Sequence, residues 1–186
     1  MKKVFPYIKE RLSRNVPVML MTVIQRAGSS PGKIGFKMAV AADGEIIGSI
    51  GGGTMEHVLV EKAKKQLQNP SELMPYLLLQ DHDPDAKDNR SGMICSGSQY
   101  VAFSPLKKKD LPLAEQICAA LDSGEKAVFQ LSPKGMTLIK DMQMEQPKIS
   151  KVTDAEDWEY REQMGMPDTL YIFGGGHVGQ IGRAHV

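Results

Sequence analysis

The protein has 186 residues, which accommodates one full domain and part of a second, since domains usually span about 100 to 200 residues. Hydrophobic residues make up 41% and charged residues 24%, which is ordinary globular usage and excludes a disordered or fibrous chain. The formal net charge of +1 gives no overall attraction for nucleic acid or an anionic membrane, so any anion site must be local.

Neither the apolar runs nor the cysteines indicate secretion or a membrane. The longest apolar run, residues 16–24, is about half the roughly 20 residues needed to span a bilayer, and no cleavage pattern follows it. The two cysteines, Cys95 and Cys118, stand in unlike contexts and form no CxxC motif. We therefore expect a soluble protein of the reducing cytosol.

The N-terminal part of the chain predicts a helix, a strand and a hairpin. Apolar residues at helical spacing indicate an amphipathic helix over residues 2–14, and a β-rich run over 16–26 indicates a strand. Turn formers crowd residues 27–32 before a second strand at 36–42. An Asp-Gly pair then predicts a tight hairpin that returns through residues 45–50.

The middle of the chain predicts a helix entered from glycines. Three glycines at 51–53 lead into an amphipathic segment that Asn69 and Pro70 close. Residues 73–80 and 99–103 have strand patterns. Between them, residues 81–97 are polar and rich in Gly and Ser for longer than a connection requires, which is typical of a functional loop.

The C-terminal third predicts further α and β elements, namely a helix at 111–121, a hairpin formed by 127–131 and 136–139, and a strand at 169–173. Residues 142–168 have few apolar positions and are interpreted as a linker with one short helix around 154–164. The predicted class is α/β, with an α+β N-terminal domain at 1–141, whose mixed sheet is flanked by helices. Residues 169–186 are expected to begin a second domain.

The first candidate site is the glycine loop, which comprises Gly51, Gly52 and Gly53 and leads into Thr54 and Glu56. A strand that passes through glycines into a helix start leaves backbone N–H groups open to a phosphate or another anion. Glu56 would repel a phosphate on the same amides, unless the ligand also offers an N–H-rich ring edge to its carboxylate. In the alternative interpretation, the glycines form a tight turn and Glu56 stabilises the helix dipole.

Two further segments carry groups that suit a ligand. Cys95 lies among small residues, and its thiolate could bind zinc, copper or molybdenum, or act in sulfur transfer, although a lone cysteine is more often an inert, half-buried thiol. The loop at 26–33 offers the hydroxyls of Ser29 and Ser30, with Lys37 shortly after it, which suits an anion or a solvated turn. Its position relative to the glycine loop decides between those two interpretations.

A dinucleotide-binding fingerprint stands at the C-terminus. Gly174, Gly176 and Gly179 form a GxGxxG motif between a predicted strand and a helix start. A working site also needs the rest of the βαβ unit and an acidic residue roughly 20 positions further on. We therefore expect a truncated Rossmann-like domain and no complete nucleotide-dependent oxidoreductase.

Several of these segments, taken in order, resemble the XdhC/CoxI family. The segments that carry the resemblance are Thr22-Val23-Ile24 with Gly28-Ser29-Ser30-Pro31, Gly35-Phe36-Lys37-Met38, the run from Gly48 to Glu56, Cys95, and the GGGHVG run that begins at Gly174. The resemblance spans about residues 16–180 and makes 1–141 the family's N-terminal domain. It makes 169–186 the start of its Rossmann-like C-terminal domain.

The resemblance implies an accessory factor for xanthine dehydrogenase or a related molybdenum hydroxylase, a chaperone rather than a catalyst. Such a factor binds molybdenum cofactor (molybdopterin), protects it during sulfuration and delivers it to the apoenzyme. The glycine loop with Thr54 would then hold the phosphate, assisted by Ser29, Ser30 and Lys37. Glu56 would meet the pterin edge, and Cys95 would approach the molybdenum.

Two other functions stay open at this stage. One is a fragment of an oxidoreductase whose longer parent uses NAD(P), and the other is a docking module without cofactor of its own. The expected partners are the hydroxylase, a cysteine desulfurase and a second copy of the chain in a homodimer.

Overall fold

The computed structural model describes residues 1–70, 73–81 and 97–165. Within those ranges the helices are α1 (Val4–Ser13), α2 (Gly53–Leu67) and α3 (Leu111–Ser123), the last preceded by a 3-10 turn at Lys108–Asp110. The strands in the same ranges are β1 (Val18–Gly28), β2 (Lys37–Ala41), β3 (Ile46–Gly48), β4 (Tyr76–Asp81), β5 (Gly97–Leu106), β6 (Ala127–Ser132), β7 (Gly135–Lys140), β8 (Lys148–Val152) and β9 (Trp158–Met164).

The first sheet has five described strands in the order β3-β2-β1-β5-β4, and every neighbouring pair is antiparallel. Strand β1 lies at its centre. Its first residue, Val18, is opposite Ala41 on β2 and Leu106 on β5, and its last residue, Gly28, is opposite Gly97. The two ends of β5 therefore lie at opposite ends of the first sheet along the strand direction.

Both faces of the first sheet are buried, because alternate residues of β1 enter different cores. Met19 and Met21 pack with Met55 and Leu59 on the inner side of α2. On the other face, Leu20 and its neighbours pack against α1, α3 and a second sheet. The residues that these elements contribute to this core are Phe5 and Ile8 from α1, Ile117 from α3, and Phe129, Trp158 and Tyr160 from the second sheet. The sheet is thus the middle layer of the fold.

The second sheet has the described order β7-β6-β9-β8 and is also antiparallel throughout. The helix predicted around 154–164 is wrong, because residues 158–164 form β9 between β6 and β8. Trp158, Tyr160 and Met164 enter the core from alternate positions, while Glu159 and Arg161 face outward. That period of two indicates a strand, and the helix-favouring Glu, Arg and Gln between the apolar residues obscured it.

Residues 142–168 are consequently not a plain linker, since they contribute β8 and β9 to the second sheet. The predicted α+β class is confirmed, with helices on both faces of the first sheet. The sheet pairing differs from the expected mixed sheet, since the described pairs are all antiparallel. No helix among the described residues is long and apolar enough to cross a membrane.

A buried ion pair joins the two sheets. The Lys37 ammonium on β2 contacts the Glu162 carboxylate on β9, and the Lys37 side chain is only 1% exposed. Lys37 also donates to the Gly35 carbonyl at 3.1 Å, and the Tyr160 hydroxyl donates to Glu162 at 2.9 Å. Burial lowers the pKa of Lys37, and the Glu162 carboxylate opposes that change.

We expect the Glu162→Gln variant to lose about 3 to 5 kcal/mol of unfolding free energy, because Lys37 is left as a buried charge without its anion. Urea denaturation monitored by the single tryptophan, Trp158, measures the change. The control is Glu159→Gln, whose ion pair with Arg161 is partly exposed and is worth under about 1 kcal/mol. Equal effects of the two variants would contradict a structural role for the buried pair.

The raised pKa of Tyr76 predicts that the free energy of unfolding falls at alkaline pH. The Tyr76 ring stacks on the Phe103 ring, with the two ring centroids 4.8 Å apart, and its hydroxyl donates to Gln66 Oε1. Burial raises the pKa of this hydroxyl to about 12. The unfolded chain ionises Tyr76 near pH 10, so the unfolded state holds fewer protons between about pH 10 and 12, and unfolding becomes easier there. Unfolding free energies measured over this pH range should fall less steeply for Tyr76→Phe; identical slopes would contradict the assignment.

Candidate functional site

The glycine loop connects β3 to α2 and adopts backbone angles that favour glycine. The φ angles of Gly51, Gly52 and Gly53 are 137°, 77° and 71°, all in the left-handed region. A β-carbon on Gly51 would lie 2.9 Å from the backbone nitrogen of Gly32, whereas one on Gly52 would meet no atom within 4 Å. Gly51 is therefore required by close packing, while the space beside Gly52 is open.

One carboxylate oxygen of Glu56 holds this loop together. Its Oε2 accepts hydrogen bonds from the Ser49 hydroxyl at 2.7 Å and from the backbone N–H groups of Ile50 and Gly52, both at 2.9 Å. The other oxygen, Oε1, makes no hydrogen bond to any described residue. Glu56 thus has the structural role of the alternative interpretation and still keeps one acceptor for a ligand.

The backbone donors that remain for an anion lie at the first turn of α2. The first N–H groups of a helix have no intrahelical acceptor, and the helix dipole adds partial positive charge there. Gly53 and Thr54 occupy this turn and are exposed. An anion at α2 would therefore bind Gly53 and Thr54 rather than Ile50 and Gly52, whose N–H groups Glu56 already occupies.

The loop that contains Ser29 and Ser30 lies directly beside the glycine loop. A β-carbon on Gly32 would lie only 2.5 Å from the Ile50 carbonyl oxygen, so the two backbones are in close contact. Ser29 is exposed, whereas Ser30 is buried and its hydroxyl bonds a side chain of β5. Ser29 is thus available to a ligand, and Ser30 acts in the packing of the loops.

The side chain that joins both loops is Gln99, which sequence reasoning missed. Gln99 is 0% exposed; its Oε1 accepts from the Ser30 hydroxyl at 2.7 Å. Its Nε2 lies 3.1 Å from the Met55 sulfur and 3.4 Å from the Ile50 carbonyl. The available signal was a polar residue at an inward position of a strand, since Gln99 shares its face with Val101 and Phe103.

Lys37 does not belong to this site, contrary to the sequence interpretation. It is the first residue of β2, and alternation along the strand puts its side chain on the same face as Ala39 and opposite Met38. That face meets the second sheet, where Lys37 pairs with Glu162. The glycine loop lies on the α2 side, so Lys37 cannot contribute a cation there.

Cys95 and the fingerprint glycines Gly174, Gly176 and Gly179 lie outside the described residues. Gly97, two positions after Cys95, packs against the loop, since a β-carbon there would lie 2.6 Å from the Ser29 carbonyl. Cys118 is a core residue, and burial raises the pKa of its thiol. In the described part of the chain, no group of three His, Cys, Asp or Glu residues could hold a metal.

We expect Gln99→Leu to lower the unfolding free energy by about 1 to 3 kcal/mol, because the buried Ser30 hydroxyl loses its acceptor. Amide hydrogen exchange should accelerate at residues 29–32 and 49–52, where the two loops meet. The control Gln68→Leu changes an exposed residue after α2 and should alter stability by less than about 0.5 kcal/mol. Unchanged exchange in both loops would contradict the joining role of Gln99.

Comparison with known proteins finds the same family that the two loop sequences resemble. The profile of the XdhC and CoxI family matches residues 11–76, a range that contains both loops and α2. A solved structure from Bacillus halodurans, described as a xanthine dehydrogenase, shares the fold with a TM-score of 0.58 at 22% identity. The match covers 86% of this chain and 52% of that one, so this chain spans about half its length.

No curated protein matches the sequence. The resemblance drawn from the loop sequences is nevertheless confirmed where the family profile extends. Over residues 11–76, the sequence is similar to the XdhC and CoxI family.

Proposed function

We propose that this protein is an accessory factor that binds molybdenum cofactor and delivers it to xanthine dehydrogenase or a related molybdenum hydroxylase. The observation that carries the proposal is the divided role of Glu56. One carboxylate oxygen organises the glycine loop, and the other has no hydrogen-bond partner among the described residues, so it could accept from a ligand. The family match supports the same function, because it includes every residue of this loop.

The donors and acceptors at the loop suit the two ends of the cofactor. Molybdopterin carries a phosphate and a pterin ring whose edge is rich in N–H donors. Gly53 and Thr54 would hold the phosphate at the helix start, and the exposed Ser29 hydroxyl lies on the neighbouring loop. Glu56 Oε1 would accept from the pterin edge, and the open space at Gly52 would admit the ring.

The remaining residues of the proposed site have supporting roles. Gly51 and Ser30 shape the two loops through packing and hydrogen bonding. Cys95 is proposed to approach the molybdenum, supported by its place two residues before Gly97, which packs on Ser29. When bound, the cofactor would supply the molybdenum centre of the hydroxylase, while this chain would hold and shield it.

We also propose the protein partners, the oligomeric state and the cellular location of this protein. The recipient is a molybdenum hydroxylase, and a cysteine desulfurase is the proposed source of the sulfur that the cofactor receives. A cytoplasmic homodimer is compatible both with receiving sulfur from the desulfurase and with delivering the cofactor to the hydroxylase. The fingerprint at Gly174, Gly176 and Gly179 is proposed to bind NAD(P) in a longer form of the protein.

Cofactor retention tests the assignment. The purified chain is mixed anaerobically with molybdenum cofactor released from a donor enzyme and gel-filtered, and molybdenum and pterin are assayed in the protein peak. Glu56→Gln keeps an acceptor for the loop but turns the other oxygen into a donor, so retention should fall roughly ten- to a hundredfold with the fold intact. Glu61→Gln, five residues further along α2, should retain the cofactor normally.

A second variant separates ligand contact from loop structure. Gly52→Ala adds a methyl group to open space, but φ 77° with ψ −172° is a conformation that glycine favours, so the variant should lose about 1 to 3 kcal/mol through backbone strain and should also weaken retention. Retention by Glu56→Gln equal to that of the unmodified chain would overturn the site. Absence of retention by the unmodified chain would favour the docking module, and saturable NAD(P) binding without pterin would favour the oxidoreductase fragment.

A further inference from the structure

A second concave site lies at the opposite end of β5 from the glycine loop. It is a cleft of about 120 Å³ between the chain entering β4, the end of β5 with the turn that follows it, and the β6–β7 hairpin. We call it the lysine cleft, and its lining residues that matter here are Met74, Ser104, Leu106, Lys109, Lys134 and Met136. Strands β4 and β7 are the edge strands of their sheets in the described structure, so two sheet edges meet at this cleft.

The charge around the lysine cleft is positive. Lys107, Lys109 and Lys134 line it, and the acidic lining residue is Asp110. One oxygen of the Asp110 carboxylate accepts the backbone N–H of Lys107 at 2.8 Å, and three lysines against this one carboxylate leave the lining with a net positive charge. The exposed Lys109 and Lys134 make no ion pair with any described residue, so their ammonium groups are available to an anionic partner.

Beneath the lysines the lining is apolar. Leu106 and Met136 are buried at its base, while Met74, which also lines the cleft, is 67% exposed. Ser104 also lines the cleft; its side-chain hydroxyl is buried and has no hydrogen-bond partner among the described residues. An apolar base, an unpartnered hydroxyl and a cationic rim are the parts of a protein interaction site.

The size of the cleft selects the kind of occupant. Pockets for complete small molecules have volumes of about 300 to 1,000 Å³. A cleft of about 120 Å³ accommodates one apolar side chain instead. Because interfaces commonly depend on one anchoring side chain in a pocket with a polar rim, a polypeptide fits these dimensions better than a metabolite.

We propose that the lysine cleft docks an acidic segment of a partner protein, with one apolar side chain seated on Leu106 and Met136. The flanking carboxylates would pair with Lys109 and Lys134. Met74 would fold over the apolar anchor, as flexible methionines do at binding surfaces. Two copies of this chain, each with a net charge of +1, gain no overall electrostatic attraction, whereas a partner that is acidic at the contact does.

The cleft is independent of the cofactor site in position. The ten residues of β5 separate Gly97, beside the glycine loop, from Leu106 at the cleft, which is about 30 Å at roughly 3.3 Å per residue. A partner docked at the cleft would therefore leave the glycine loop open. Failure of one proposal does not affect the other.

Binding of fluorescein-labelled peptides to the full chain tests the proposal by fluorescence anisotropy. The probes are Asp-Glu-X-Glu-Asp pentapeptides in which X is Leu, Met, Phe or Trp, with a Ser-centred peptide and Lys-Lys-Leu-Lys-Lys as references. We expect saturable binding of at least one apolar-centred peptide. The Lys109→Glu/Lys134→Glu double variant should bind it roughly tenfold more weakly, since each reversal replaces attraction with repulsion.

Three matched comparisons make the result decisive. Met74→Ser should weaken the apolar-centred peptide several-fold, and Lys62→Glu, a charge reversal on the exposed side of α2, should change nothing. Equal binding of the Ser-centred peptide, or equal weakening by Lys62→Glu, would reduce the interaction to general charge attraction and overturn the proposal. Binding of none of the acidic peptides at millimolar concentration would also overturn it.

Discussion

The burial of both faces of β1 is the constraint from which the rest of the fold follows. A strand buried on both sides requires a packed layer on each face of its sheet, and alternate residues must serve different layers. Met19 and Met21 serve α2, whereas Leu20 and Ile24 serve α1, α3 and the second sheet. This division places the glycine loop on one side of the first sheet, with the Lys37–Glu162 ion pair on the other.

The glycine loop itself is stabilised by polar groups rather than by apolar burial. Glu56 gathers two backbone N–H groups and one hydroxyl on a single oxygen, and Gln99 connects the neighbouring loop through Ser30. Charge-assisted hydrogen bonds of this kind fix a loop more firmly than neutral ones. The loop is therefore preorganised, since these hydrogen bonds hold the helix start and the Glu56 carboxylate in place.

The antiparallel pairing of β1 and β5 keeps the two proposed binding regions apart. One end of β5 contacts the Ser29 loop through Gly97, and the other end closes the lysine cleft at Leu106. A carrier protein benefits from such a separation, because a recipient can dock without covering the ligand. The rigid central strands would hold both regions at a constant distance.

The sequence by itself determined the helices, most strands, the Asp-Gly hairpin and the glycine loop, because these depend on local periodicity and turn chemistry. It also singled out Glu56, with both of its interpretations. Tertiary structure alone decided that residues 158–164 pair as a strand, that Lys37 faces the second sheet and that Gln99 joins the two loops. Each of these outcomes depends on residues far apart in the chain, Lys37 and Glu162 being 125 positions apart, and such contacts are set by sheet order rather than by local pattern.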